Sequence, residues 1–124
     1  MIRRFIYVFS CFCFIGYISS CSKASEDELA PAPSQCDTSG MKYSTNILPI
    51  ISSNCYGCHG NGTATDGVDL DGYAKLKNYV DNGYLIGVIT HASGYTPMPY
   101  GGAKLSDCDI NKIKAWINNG APNN

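Results

Sequence analysis

Apolar positions in this chain recur at helical spacing in four places. Ile47, Ile50 and Ile51 stand three and four apart, as do Tyr73, Leu76 and Val80. Ile110, Ile113 and Ile117 follow the same rule with Trp116 beside them, and a shorter apolar run, "YLIGVIT", covers 84–90. Residues at i, i+3, i+4 and i+7 share one helix face, so each pattern predicts a helix with one buried side. Around "SNCYGCHG", residues 53–60, there is no alternation of apolar and polar residues of the kind a half-buried strand would show. The pattern predicts three to four short helices and supports an all-α domain.

Local signals sharpen the ends of these segments. Ser106 is a good N-cap and Asp109 lies three residues on, a variant of the capping box, with Leu105 and Ile110 set for a hydrophobic staple across it. Gly120 and then Pro122 stop that last helix. Pro49 is tolerable in the first helix only if the helix starts near Thr45 or Asn46, which puts the ring in the first turn. The third segment should end near Gly83.

The N-terminal fifth of the chain reads differently. Met1, Ile2, Arg3 and Arg4 precede "FIYVFSCFCFIGYIS", a basic head and an apolar run of about 14 residues, short for a bilayer span of about 18–20. That is the layout of a secretory signal peptide. The following "ISSCS" resembles the lipobox of bacterial lipoproteins. The resemblance implies cleavage before Cys21, loss of residues 1–20, and a lipid on Cys21 that holds the chain to a membrane. Residues 21–35 contain "KASEDELAPAPS", acidic, proline-rich and poor in apolar bulk, which reads as a flexible tether. The expected organisation is therefore a signal peptide over 1–20, a lipidated tether over 21–35 and a folded domain over 36–124, held on the bacterial envelope and facing the periplasm or the exterior.

Charge narrows the partners. The whole chain carries nine Lys+Arg and ten Asp+Glu; without Arg3 and Arg4 the balance moves from −1 to −3. No basic run remains, which argues against nucleic acid as a partner.

Seven cysteines must then be accounted for. Cys11 and Cys13 leave with the signal peptide, and Cys21 takes the lipid. Cys55 and Cys58 belong together in "SNCYGCHG". Cys36 and Cys108 remain, and two leftover cysteines in an exported domain are most simply a disulfide. Such a bond would close a loop of roughly 70 residues and contribute about 3–4 kcal/mol by the loop-entropy account.

"CYGCH" admits three chemistries. A thiol–disulfide centre expects its C-x-x-C at a helix start within a strand–helix–strand unit and a lowered thiol pKa. Zinc wants four ligands, usually two close pairs, whereas Cys36, Cys108, His59 and His91 are scattered singly. C-x-x-C-H is also the attachment signature of c-type haem. Two thiols at this spacing can add to the two vinyl groups of one porphyrin edge, and the next residue can reach the iron. Cys55 and Cys58 are then the thioether cysteines and His59 the proximal ligand of one covalent haem c.

The opposite face of such an iron takes methionine or histidine in electron carriers. "THASGYTPMPYGG" holds one of each, His91 and Met98. Met98 lies between Pro97 and Pro99 in a loop whose backbone freedom the prolines restrict, and it is the expected axial ligand, with His91 as the alternative.

"CYGCH", "MPYGG" and "LSDCDINKIKAWINNGAP" together resemble the class I cytochrome c domain, especially the small cytochrome domains of bacterial envelope lipoproteins, over about residues 36–124. The resemblance implies helices wrapped around one haem, with the first and last crossing. It also implies a membrane-anchored carrier of single electrons between redox proteins, which is not an enzyme. The rival reading is a sensor or peroxidase-like haem domain with a labile distal ligand. Lys75, Lys77, Lys104, Lys112 and Lys114 form no cationic docking run of the mitochondrial kind.

Overall fold

A computed structural model of the chain describes residues 36–124. The readings of the signal peptide, of Cys11 and Cys13, of Cys21 and of the tether fall outside the described residues.

The domain is all-helical: about half of the described residues are in helices and none in strands. A π-helical turn, Tyr43–Ile47, runs directly into α1, Leu48–Asn54. A four-residue turn of helix, α2, spans Tyr56–His59, and a short 3-10 turn spans Thr65–Gly67. Then come α3, Tyr73–Asp81, α4, Tyr84–Ile89, and α5, Asp107–Asn118. Among the described residues no helix is long and apolar enough to cross a membrane.

Helix α1 shows what its proline demands. Pro49 has no N–H to donate and its ring crowds the carbonyl four residues back. It sits in the first turn of α1, as expected, but the chain is already helical from Tyr43, earlier than Thr45 or Asn46. The difference is the widened turn before it, in which the Ile47 amide donates to the Lys42 carbonyl, 3.2 Å away.

Helix α5 begins and ends on side-chain and backbone caps. The Asp109 amide donates to Ser106 Oγ at 3.0 Å. The return half of the expected box differs: Ser106 Oγ donates to Asp109 Oδ2 at 2.8 Å. An aspartate is one methylene shorter than the glutamate that normally reaches the cap amide. At the other end Gly120 adopts φ +87°, the Ala121 amide donates to the Trp116 carbonyl and the Gly120 amide to that of Ile117. This pair of bonds is a Schellman motif, which needs a residue without a Cβ in the left-handed region.

One core holds these pieces together. Ile47, Ile51, Leu76, Ile89, Ile113 and Trp116 are fully buried, with Met41, Tyr43, Tyr56 and Leu105 around them. On α5 the innermost residues are Ile110, Ile113 and Trp116, while Ile117 is only half-buried. The buried indole has a polar partner, its Nε1 donating to the Pro122 carbonyl at 3.0 Å. Helix α5 packs on the π-helical turn, where Tyr43 meets Trp116 at 6.0 Å between ring centroids and Tyr73 at 5.2 Å. Asn124 closes the same corner: the Tyr43 amide donates to its Oδ1 at 2.8 Å and the Ser44 amide to its carbonyl at 2.9 Å.

Candidate functional site

The residues of "CYGCH" form a single turn of helix directly after α1. Cys55 sits at the junction, its amide donating to the Ile51 carbonyl at 2.8 Å. Its carbonyl accepts from the amides of both Cys58 and His59, at 3.1 and 2.9 Å. This closes the turn. Residues three apart on a helical turn lie on one side of it, so the two cysteines face the same way. Neither is in a disulfide; Cys58 is exposed and Cys55 half-buried.

Burial pushes the Cys55 thiol up to about 11. A thiol–disulfide centre works through a thiolate at neutral pH, and a thiol raised this far is protonated there. Nucleophilic thiol chemistry is therefore disfavoured at Cys55.

His59 is tethered on both sides by the loop that follows it. Its Nδ1 lies 3.2 Å from the carbonyl oxygen of Val68, which can only accept, so Nδ1 carries the proton. Nε2 then holds the free lone pair. The His59 carbonyl accepts from the Leu70 amide at 2.7 Å, which anchors the same segment. A carbonyl behind an imidazole fixes its tautomer and orientation, the arrangement typical of a metal-binding histidine.

Tyr56 holds the motif in the fold, a role its position between the cysteines did not announce. It is buried, and its hydroxyl accepts from the Gly72 amide at 3.3 Å. Its ring lies against Gly60, where an added Cβ would come within 2.5 Å of Tyr56 Cγ. The glycine after His59 could have hinted at close packing, but nothing along the chain points to Tyr56 as its neighbour.

Met98 is on the long loop between α4 and α5, half-buried against the core. Its amide donates to the Val88 carbonyl at the end of α4, at 3.1 Å. His91, also half-buried, directs its Nε2 at the Met98 carbonyl, 3.0 Å away. Since a carbonyl only accepts, Nε2 is the protonated nitrogen of His91 and is not free to bind iron in this arrangement. Cys55, Val68 and Met98 all pack against the one core.

Cys36 and Cys108 lie side by side with their sulfurs at bonding distance and 5.5 Å between Cα atoms. A zinc site that used these cysteines would have to break that pairing. Among the described residues no three His, Cys, Asp or Glu side chains form a metal-binding group. An iron held by one histidine and one thioether, with its other four bonds from a porphyrin, needs no such group. By donor chemistry alone, the thiols of Cys55 and Cys58, the imidazole of His59 and the thioether of Met98 are of the kinds a covalent haem would take. The shallow dent lined by Cys36, Asp37, Thr38 and Ser39 contains none of these four residues.

Three ion pairs lie on the surface of the described residues. Lys75 pairs with Asp69 at 2.6 Å, Lys77 with Asp81 at 2.5 Å, and Lys104 with Asp107 at 3.1 Å. The hydrogen bond from Lys75 holds the Asp69 carboxyl below the usual carboxylate range and is the main cause that raises Lys75. The stretch from Asn82 to Ala103 carries no Lys, Arg, Asp or Glu at all, so the Met98 loop is uncharged apart from any proton on His91.

No family model matches the chain, and neither a curated protein nor a solved structure matches it.

Proposed function

We propose that this chain is a monohaem c-type cytochrome that carries single electrons between redox proteins of the bacterial envelope and is not an enzyme. The observation that carries the reading is the His59–Val68 bond of 3.2 Å, which leaves Nε2 as the open ligand on the same turn as two unpaired cysteines. Cys55 and Cys58 would hold the haem by thioethers, His59 its iron, and Met98 the iron's other face. Bound there, the haem would supply a one-electron ferric–ferrous couple.

The chain's own residues do the rest. The Val68 carbonyl keeps His59 in one tautomer, and Tyr56 anchors the motif turn to Gly72. The apolar core around Ile51, Leu76 and Ile89 excludes water, and exclusion of water from around a redox centre is one of a protein's means of setting its potential. A class I cytochrome fold is supported by the helix order and by the packing of α5 on the first helical turn through Trp116 and Tyr43. Lipidation at Cys21 would keep the carrier at a membrane.

The test is production of the exported chain in a host that attaches haem to C-x-x-C-H sites. Haem that stays with the chain after denaturation, lost in Cys55→Ser, Cys58→Ser, is expected. So is a six-coordinate oxidised spectrum with a far-red sulfur-to-iron band. Absence of covalent haem would sink the proposal, and a high-spin ferric spectrum at neutral pH would favour the sensor or peroxidase-like alternative. Cys21→Ser is expected to release the protein from the membrane fraction.

A further inference from the structure

The Met98 loop is tied down at one residue from two directions. Its amide is held by the carbonyl of Val88, and its carbonyl is held by Nε2 of His91, at 3.1 and 3.0 Å. Both partners stand at the C-terminal end of α4, whose last residue is Ile89. Thr90 caps that end, its hydroxyl donating to the Ile86 carbonyl at 2.7 Å. The loop therefore hangs from the end of one short buried helix.

His91 takes an uncommon backbone conformation to make its bond. Its φ is +57°, in the left-handed region that disfavours side chains with a Cβ. Just beyond it the Ala92 amide donates to the Gly87 carbonyl at 3.0 Å, which reverses the chain at once after the helix. A glycine or asparagine would adopt this φ more readily. The ring is half-buried, with its Nε2 on the carbonyl of the one methionine in the loop.

We propose that His91 is a positioning residue for Met98: its Nε2–H grips the Met98 carbonyl and holds the thioether side chain of that residue against the iron. This rests on reading Met98 as the iron's second ligand. A methionine thioether is a weak ligand, and restraint of the backbone on both sides of its Cα lowers the freedom it loses on binding. With the carbonyl released, Met98 keeps its amide bond to Val88 and its two flanking prolines but loses the hydrogen bond that fixes its carbonyl.

The proposal separates from a merely structural role by choice of variant. His91→Asn suits the left-handed backbone, so it does not add strain, but its amide is too short to reach the Met98 carbonyl. His91→Gln places an amide N–H close to the position of Nε2 and can restore the bond. Haem-loaded wild type, both variants and Met98→Ala are compared by the far-red band of the oxidised protein and by titration of the ferric form with imidazole. Imidazole is expected to bind His91→Asn about 3- to 10-fold more tightly than wild type, the size of one lost hydrogen bond. The far-red band should weaken in step, and His91→Gln should recover most of both. Unchanged imidazole affinity and an unchanged band in His91→Asn, with the band absent in Met98→Ala, would overturn the role of His91 and leave Met98 as ligand. A far-red band that survives in Met98→Ala would overturn both.

Discussion

The imidazole of His59 and the backbone carbonyl of Val68, nine positions apart in the sequence, are joined by a bond of 3.2 Å. The loop between them includes the 3-10 turn Thr65–Gly67, which ends with Gly67 at φ +74°. That turn delivers Val68 with its carbonyl facing the ring. The proposed haem ligand is therefore oriented by a turn whose shape depends on a residue able to adopt positive φ.

Gly67→Ala is expected to lower stability by about 1–2 kcal/mol, the approximate penalty for a Cβ in the left-handed region. It should also swing the Val68 carbonyl off His59. A hydrogen bond from Nδ1 makes the imidazole a more basic ligand and favours ferric iron, so its loss should raise the midpoint potential. Urea denaturation and a redox titration of the haem-loaded protein check the two effects. A destabilised variant with an unmoved potential would detach the turn from the iron.

The glycines on either side of Cys58 should respond oppositely to the same change. An added Cβ at Gly57 meets nothing within 4 Å, and the residue lies in α2. Gly57→Ala should be neutral or stabilising by up to about 1 kcal/mol. At Gly60 the added Cβ would lie 2.5 Å from Tyr56 Cγ and 3.0 Å from Tyr56 Cβ, atoms close to the backbone that cannot swing aside. Gly60→Ala should cost about 1–3 kcal/mol, typical of overpacking. Thermal denaturation of the two variants side by side decides it.

Cys55 should make the haem-free chain sensitive to alkaline pH. Its pKa is raised by burial from 9.0 to about 11. A thiol raised on folding contributes stability that is fully present below the unfolded value and is lost as pH rises through the folded one. The loss falls between pH 9 and about 11, and reaches at most about 2–3 kcal/mol. The haem-free chain and its Cys55→Ser variant, denatured in urea at pH 8 and again at the alkaline end, should differ in slope by this contribution. A thioether has no proton to lose, so the haem-loaded protein should lack it.

Trp116→Ala is expected to remove about 3–5 kcal/mol, by the cavity it leaves in the core. The indole is fully buried between Tyr43 and Tyr73, and its Nε1 has the Pro122 carbonyl as partner. Trp116→Phe keeps most of the volume but abandons that carbonyl, and should fall between wild type and Trp116→Ala. Equal stability of the two variants would mean that the hydrogen bond outweighs the packing.

Much of this protein is determined by local rules that a sequence states directly. Helical spacing at Leu76 and Val80, and at Ile110 and Ile113, marks the buried faces because side-chain direction repeats every 3.6 residues. Ser106 and Gly120 mark the ends of α5 because caps act on backbone groups within a few residues of themselves. "CYGCH" brings two thiols and an imidazole onto one turn because they are neighbours in the chain. What only the tertiary structure decided depends on contacts across long separations and on backbone carbonyls, which every residue possesses and no pattern distinguishes. The acceptor for His59 is the carbonyl of Val68, the anchor of Tyr56 is the amide of Gly72, and the partner of His91 is the carbonyl of Met98. Likewise the partner of the Trp116 N–H is the carbonyl of Pro122, which the chain end after α5 brings back to it. Sequence determines which side chains can bind and where helices start and stop; the returning loops decide which of those side chains are held still enough to do so.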